Sequence, residues 1–250
     1  MIEITYDLSC IEDNDMSIIF NSANASSESE PSKILDSLKL QARMWRHKDK
    51  IYQIIRYDKQ FLVCDRFSTS GLFRSVIFNK GNILVFSPPK CMYPPKFEET
   101  YNPTECIAQE YIEGTMINLF YDKENDDWEI ATRSSIGGRM TFFSTNSSDT
   151  FRNMFLQACG NSNLVFDDLS KDYCYSFVLQ HPNNRIVIPF IETKLYLVAV
   201  YKIDKFLIKS LAFNEIKSLV EKSSVSFPKN YSFSTFSELQ DIYASGNTDY

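Results

Sequence analysis

The sequence is short of the residues that most often announce a function. Two histidines, His47 and His181, leave little material for a histidine metal site or a Ser-His-Asp relay. The six cysteines, at 10, 64, 91, 106, 159 and 174, include no C-x-x-C pair, which argues against a zinc site of the usual spacing. No apolar run reaches the roughly 18 residues of a helical membrane span. The opening stretch MIEITYDLSCIEDND is acidic and lacks the basic-then-apolar order of a secretory signal. The expectation is an intracellular, cytoplasmic protein whose cysteines are reduced and packed as small hydrophobes. A net charge of −6 excludes coating of nucleic acid by bulk positive charge, but not a local basic groove. No internal repeat is present. With only seven glycines in 250 residues, each glycine carries more information than usual.

What the chain does have is aromatic mass. Twenty Phe and fourteen Tyr, within 44% hydrophobic residues, favour strands and a core that folds without staples. Residues 21–33, NSANASSESEPSK, are small and polar, as in a linker or long loop. They divide an N-terminal segment, 1–33, from a main domain, 34–250. In ILDSLKLQARMWRH, Ile34, Leu35, Leu38, Ala42 and Trp45 fall near helical spacing. IYQIIRYD, QFLVCDRF, RSVIFN and NILVFS read as strands, the last two joined by an NKGN hairpin turn. SPPK and YPPK predict an extended loop, because proline removes amide donors and restricts its neighbour. TMINLFYD and WEIATRSS pair across KENDD. TFRNMFLQAC is a helix, YCYSFVLQHP, RIVIPF and KLYLVAVYKID are strands, and FNEIKSLVEK and FSELQDIYAS are helices. The fold class is α+β, with mostly antiparallel sheets and interspersed helices.

Several residues could carry chemistry. Glu113-Gly114 at a strand start combines a carboxylate able to accept from a ribose hydroxyl with a glycine that permits close approach, although two residues alone also fit a solvated turn. Arg74, inside LFRSVIF, and Arg133, in IATRSSIG, could hold a phosphate bidentately or simply face solvent on alternating strands. Lys90 and Lys96 follow proline pairs and could reach a phosphate or keep the loop soluble. Phe177 could stack on a purine or belong to the core, and His181 reads as a turn residue. The order of these features is more specific than any one of them: an arginine strand, a lysine loop, an acid-glycine strand, a basic strand, then an aromatic strand before NRIV.

That order resembles the phage-type RNA ligases, the RNA ligase 1-like group of the covalent nucleotidyltransferase superfamily. LFRSVIFNKGNILVFSPPKCMYPPKFEE is similar to the family's upstream segment, with Arg74 at its arginine and Lys96-Phe97 at its lysine step. EYIEGTMINLFYD resembles the nucleotidyl-acceptor motif, lysine-x-acid-glycine-serine, with Glu113, Gly114 and Thr115 at its last three positions and Tyr111 where the lysine would stand. TRSSIG places Arg133 on the next basic strand, and Asn184, Arg185, Ile186 and Val187 match the family's Asn-Arg-Ile-Val. The family carboxylate before that run falls at Ser176 or Val178. The resemblance implies an adenylation-domain fold and ATP-dependent transfer of AMP to an RNA 5′-phosphate, followed by strand sealing, with magnesium assisting. It implies phosphate contacts from Arg74 and Lys96, a ribose contact from Glu113, a phosphate or strand contact from Arg133 and a purine contact from Phe177. Gly114 and Thr115 would shape the turn. Two later family motifs are not found before Tyr250, so a truncated or degenerate member is expected. Three functions stay open: a viral-type RNA repair ligase with its nucleophile moved to Lys90 or Lys96, a pseudoenzyme that binds nucleotide or RNA, and a structural protein.

Overall fold

A computed structural model describes residues 3–10, 38–58, 69–141, 148–184 and 187–243. Two sheets dominate. The larger has six strands: β1 (Thr5–Asp7), β7 (Thr115–Asp122), β8 (Asp127–Ala131), β9 (Tyr173–Gln180), β10 (Lys194–Asp204) and β11 (Leu207–Ser210). They lie in the order β1-β11-β10-β9-β7-β8, every neighbour antiparallel. The smaller is a meander of β2 (Leu40–His47), β3 (Lys50–Tyr57), β4 (Val76–Asn79) and β5 (Asn82–Phe86). Short strands β6 (Ala108–Gln109) and β12 (Asn230–Tyr231) pair separately. The helices are α1 (Pro94–Thr100), α2 (Phe151–Asn161), α3 (Phe213–Leu219) and α4 (Phe236–Tyr243). The fold is α+β with antiparallel sheets.

Alternation along the strands decides where each side chain goes. Ile117 and Leu119 of β7 and Tyr175, Phe177 and Leu179 of β9 share one core with Met154, Phe155 and Ala158 of α2. Thr150 starts that helix by accepting the Asn153 N–H on Oγ1 at 3.2 Å, which satisfies an otherwise orphaned donor. The opposite face of the large sheet meets the meander. β5 runs close to β7, β9 and β10, so the meander stands on the large sheet along that strand. Each of its faces then has its own cluster. Tyr52, Ile54, Ile77 and Val85 pack with Phe120, Ala131 and Cys174. Ile55, Tyr57, Phe73, Val76 and Phe86 pack with Ala199, Tyr201 and Ile208.

The β4–β5 hairpin turns at Lys80 and Gly81, both at positive φ (47° and 77°), the conformation that matches strand twist in a two-residue hairpin. Three expectations change. Leu40–His47 is a strand rather than part of a helix, because the Lys48-Asp49 turn folds it back on β3, with Leu40 opposite Tyr57 and His47 opposite Lys50. PPKFEET is a helix rather than a loop, since proline in the first helical turn removes only an amide that has no partner there. Residues 187–190 are not a strand. Thr5–Asp7, within the segment 1–33, pairs with β11 of the large sheet. The polar loop 21–33, the strand QFLVCDRF, Ile34, Leu35, Arg185 and Ile186 lie outside the described residues.

Candidate functional site

Two hairpins frame the site, and their ends differ. The β2–β3 and β7–β8 hairpins bring their turns together. Lys48 Nζ lies 3.0 Å from Asp127 Oδ2, and Lys50 Nζ lies 3.4 Å from Asp122 Oδ1. The Tyr52 hydroxyl donates to Asp122 Oδ2 at 2.5 Å. His47 Nε2 is 2.6 Å from Glu129 Oε2, and Arg152 of α2 pairs with the other oxygen of that carboxylate. Burial pushes the Glu129 carboxyl up, but the Ile130 N–H, His47 and Arg152 outweigh it and hold the group below its ordinary value.

At the open ends three arginines have no ion-pair partner, although Asp58 stands just beyond β3. Arg56 lies next to the end of β3, and Arg133 lies two residues beyond β8. The Tyr57 N–H donates to Phe73 O at 2.6 Å, tying the end of β3 to the segment before β4. Arg133 Nε donates to Arg74 O at 3.4 Å, and its guanidinium sits 5.4 Å from the Tyr57 ring centre. Burial lowers the pKa of Arg133, Tyr57 opposes the shift, and the like charges of Arg56 and Arg74 add to the lowering. None of the three forms an ion pair, and among the described residues Arg152 is the one arginine that does. Arg74 and Arg133, joined through the Arg74 carbonyl and free of ion pairs, form a place for an anion.

β7 begins at this same end, because β7 and β8 are antiparallel. Glu113, Gly114 and Thr115 therefore lie at the open end of the hairpin, beyond the Asn118–Ala131 pair. Gly114 has φ +147°, and a Cβ there would stand 2.6 Å from Leu179 O. Glycine is required for β7 to pair this closely with β9. The Glu113 carbonyl accepts from Gln180 Nε2 at 2.9 Å, and its Oε1 accepts the Ile188 N–H at 3.1 Å. Asn184 Nδ2 donates to Thr115 Oγ1 at 2.7 Å, leaving Asn184 Oδ1 buried without a partner.

The other sequence candidates lie apart. Tyr111 is 80% exposed, so nothing encloses the position of the family lysine. Lys96 sits on α1 with Nζ 3.3 Å from Glu99, and no described contact joins it to the arginines. Lys90 is the nearer loop lysine, since its N–H donates to Gly71 O at 2.9 Å, just before Arg74. Phe177 requires a correction. It is fully buried beside Phe155, at a ring distance of 5.5 Å, on the helix side of the sheet, and cannot meet a purine. Ser176 and Val178 alternate to the face that meets the meander. Ser176 Oγ donates to Asn118 Oδ1 at 2.7 Å, and Asn118 Nδ2 donates to Ser87 Oγ at 2.8 Å. Neutral groups thus close off the place of the family carboxylate. His181 is a turn residue, as expected, accepting the Asn183 N–H on Nδ1 at 3.1 Å.

Magnesium, which the resemblance implies, is poorly matched by these donors. Glu113 already accepts a backbone N–H, and Asp58 takes the Gln41 amide at 2.5 Å. Among the described residues no three His, Cys, Asp or Glu side chains come together as ligands.

No protein-family profile matches the chain. Over 102 residues it is 28% identical to the RNA ligase of Rhodothermus phage RM378. The chain is distantly related to phage RNA ligase. The match covers 38% of this chain and 23% of the length of that ligase. The resemblance to the nucleotidyltransferase superfamily thus has support beyond the motif order. A protein described as an ATP-dependent DNA ligase of Aquifex aeolicus superposes on 85% of this chain and 53% of its own, with a TM-score of 0.49 and 13% identity. That likeness is too loose to decide anything further. No described helix is long and apolar enough to cross a membrane.

Proposed function

We propose that the chain binds a nucleotide or a 5′-phosphorylated RNA end at the arginine corner, as a ligase relative that does not form the covalent enzyme–AMP bond. The observation that carries this reading is the pair Arg74 and Arg133, joined through the Arg74 carbonyl and without an ion-pair partner. In this reading Arg74 and Arg133 hold phosphate oxygens, and Glu113 accepts a ribose hydroxyl through Oε2. Gly114 and Thr115 keep the start of β7 in place. Tyr111 takes no part in transfer, because a phenol needs activation to act as a nucleophile and this one is 80% exposed to solvent.

The second reading is an active RNA ligase, favoured by the relation to the phage enzyme. Its nucleophile would be Lys90 or Lys96, with Lys90 the better placed. One experiment separates the two. The protein is incubated with ATP labelled at the α-phosphate, with and without magnesium, then quenched in acid. Saturable binding with no acid-stable label is the expected result. A lysine–AMP adduct lost in Lys90→Ala would establish the ligase instead. No binding at all would end both readings.

A further inference from the structure

We infer that the buried hydroxyl pair Thr132–Ser135 is the positioning element of the anion site, fixing the two-residue turn that presents Arg133 to a phosphate. The inference rests on the binding function proposed above and specifies how its arginine is aimed. Arg133 stands at the tip of a small hairpin. After Ala131 the chain doubles back: the Thr132 N–H donates to Ser135 O at 2.9 Å, Ala131 bridges antiparallel to Ile136, and the Gly137 N–H donates to Ile130 O at 2.8 Å. Arg133 and Ser134 are the two residues between these arms. Flanking them, the Thr132 and Ser135 hydroxyls lie 2.7 Å apart, one donating to the other. Both residues are buried, at 8% and 1% exposure. The Ser134 N–H also donates to Thr132 Oγ1, at 3.4 Å, so one hydroxyl ties both the far arm and the tip.

Stability alone does not account for the pair. A neutral hydrogen bond contributes little net stability, and apolar groups of the same shape can stand in its place at nearly no cost. What apolar groups cannot supply is direction. Direction matters at Arg133. Its Nε–H is spent on Arg74 O at 3.4 Å, and its guanidinium lies 5.4 Å from the Tyr57 ring centre, which leaves the other N–H groups of the fork to meet a ligand. The returning arm is constrained as well. A Cβ at Gly137 would stand 2.6 Å from His47 Cε1, so the arm lies directly against a ring that is itself 2.6 Å from Glu129. A fork held in this way loses little freedom when an anion arrives, and a turn free to shift would forfeit that advantage.

The test is a double-mutant cycle on the full chain, read by calorimetric titration with ATP. Thr132→Val removes the hydroxyl and keeps the shape, and it should weaken binding about tenfold. Thr132→Ser keeps the hydroxyl and should bind as the parent does. Arg133→Ala should weaken binding at least as much as Thr132→Val. Adding Thr132→Val to Arg133→Ala should cost nothing further, because the hydroxyl acts through that arginine. Melting curves establish that each variant is folded, and Ser135→Ala, which breaks the same bond from the other side, takes the place of Thr132→Val if that chain does not fold. Parent-like affinity on loss of either hydroxyl, or a loss that persists in full when Arg133 is already alanine, overturns the inference; the binding function still stands if Arg133→Ala weakens binding. Failure of ATP to bind the parent overturns both.

Discussion

The two ends of the paired hairpins contain similar numbers of basic groups and treat them in opposite ways. At the turns, Lys48, Lys50, His47 and Arg152 each face a carboxylate, and Asp122 and Glu129 are nearly inaccessible. At the open ends, Arg133 donates to the Arg74 carbonyl, and neither these two arginines nor Arg56 has an ion-pair partner. Compensated charge fastens one hairpin to the other. Uncompensated charge serves no such purpose and even opposes compaction, so its retention in a folded corner points to a ligand. The same distinction separates the lysines from the arginines. Lysines supply most of the ion pairs among the described residues, and the arginines that stand free have the planar fork suited to phosphate.

The sharpest way to break this comparison is at Glu129. Glu129→Ala leaves Arg152 and His47 without their partner and should cost about 3–5 kcal/mol in urea unfolding. A loss below about 1 kcal/mol would show that the closed end is not fastened by charge. Glu129 and Asp122 are both held below ordinary carboxylate values, despite burial that acts the other way. Depressed groups contribute stability that is present above the unfolded carboxylate range, near 4, and is lost as pH falls through the folded values. Stability should therefore decline on acidification, and Glu129→Gln should flatten the decline. Gly114→Ala should cost about 1–3 kcal/mol by thermal or urea unfolding, from strained φ and collision with the β9 backbone. The smallest effect belongs to the open end. Arg56→Ala removes no partnered charge, and its stability should lie within about 0.5 kcal/mol of the parent or above it.

Much of the fold is legible in the sequence. Alternation and turn residues place β3, β4, β5, β7, β9 and β10, and the Thr150 cap with its apolar stripe places α2. β2 is missed because Leu38, Ala42 and Trp45 mimic helical spacing. Strand and helix periods cannot be told apart over so few apolar residues when register comes from a partner strand. Proline pairs mislead at Pro94-Pro95, where they begin α1. Arg74, Arg133, Glu113 and Gly114 are readable as candidates, and of these Arg133 is bonded to the Arg74 carbonyl. Phe177 is assigned to the wrong side because an aromatic residue type does not tell which face it takes, whereas parity with Tyr175 and Leu179 does. Arg56 goes unnoticed, because the alternating face Lys50-Tyr52-Ile54-Arg56 carries a charge at each end, as an ordinary strand does. The pairing of His47 with Glu129 spans 82 positions, and nothing local foretells it.

Thr5–Asp7 closes the outer edge of the large sheet by zipping onto Leu207–Lys209. Roughly two hundred residues must leave the ribosome before that first strand has anything to pair with, so its docking belongs among the last steps of folding. Until then β11 presents a bare row of amides and carbonyls, and the newly made chain is most open to sticking to a neighbour at that moment.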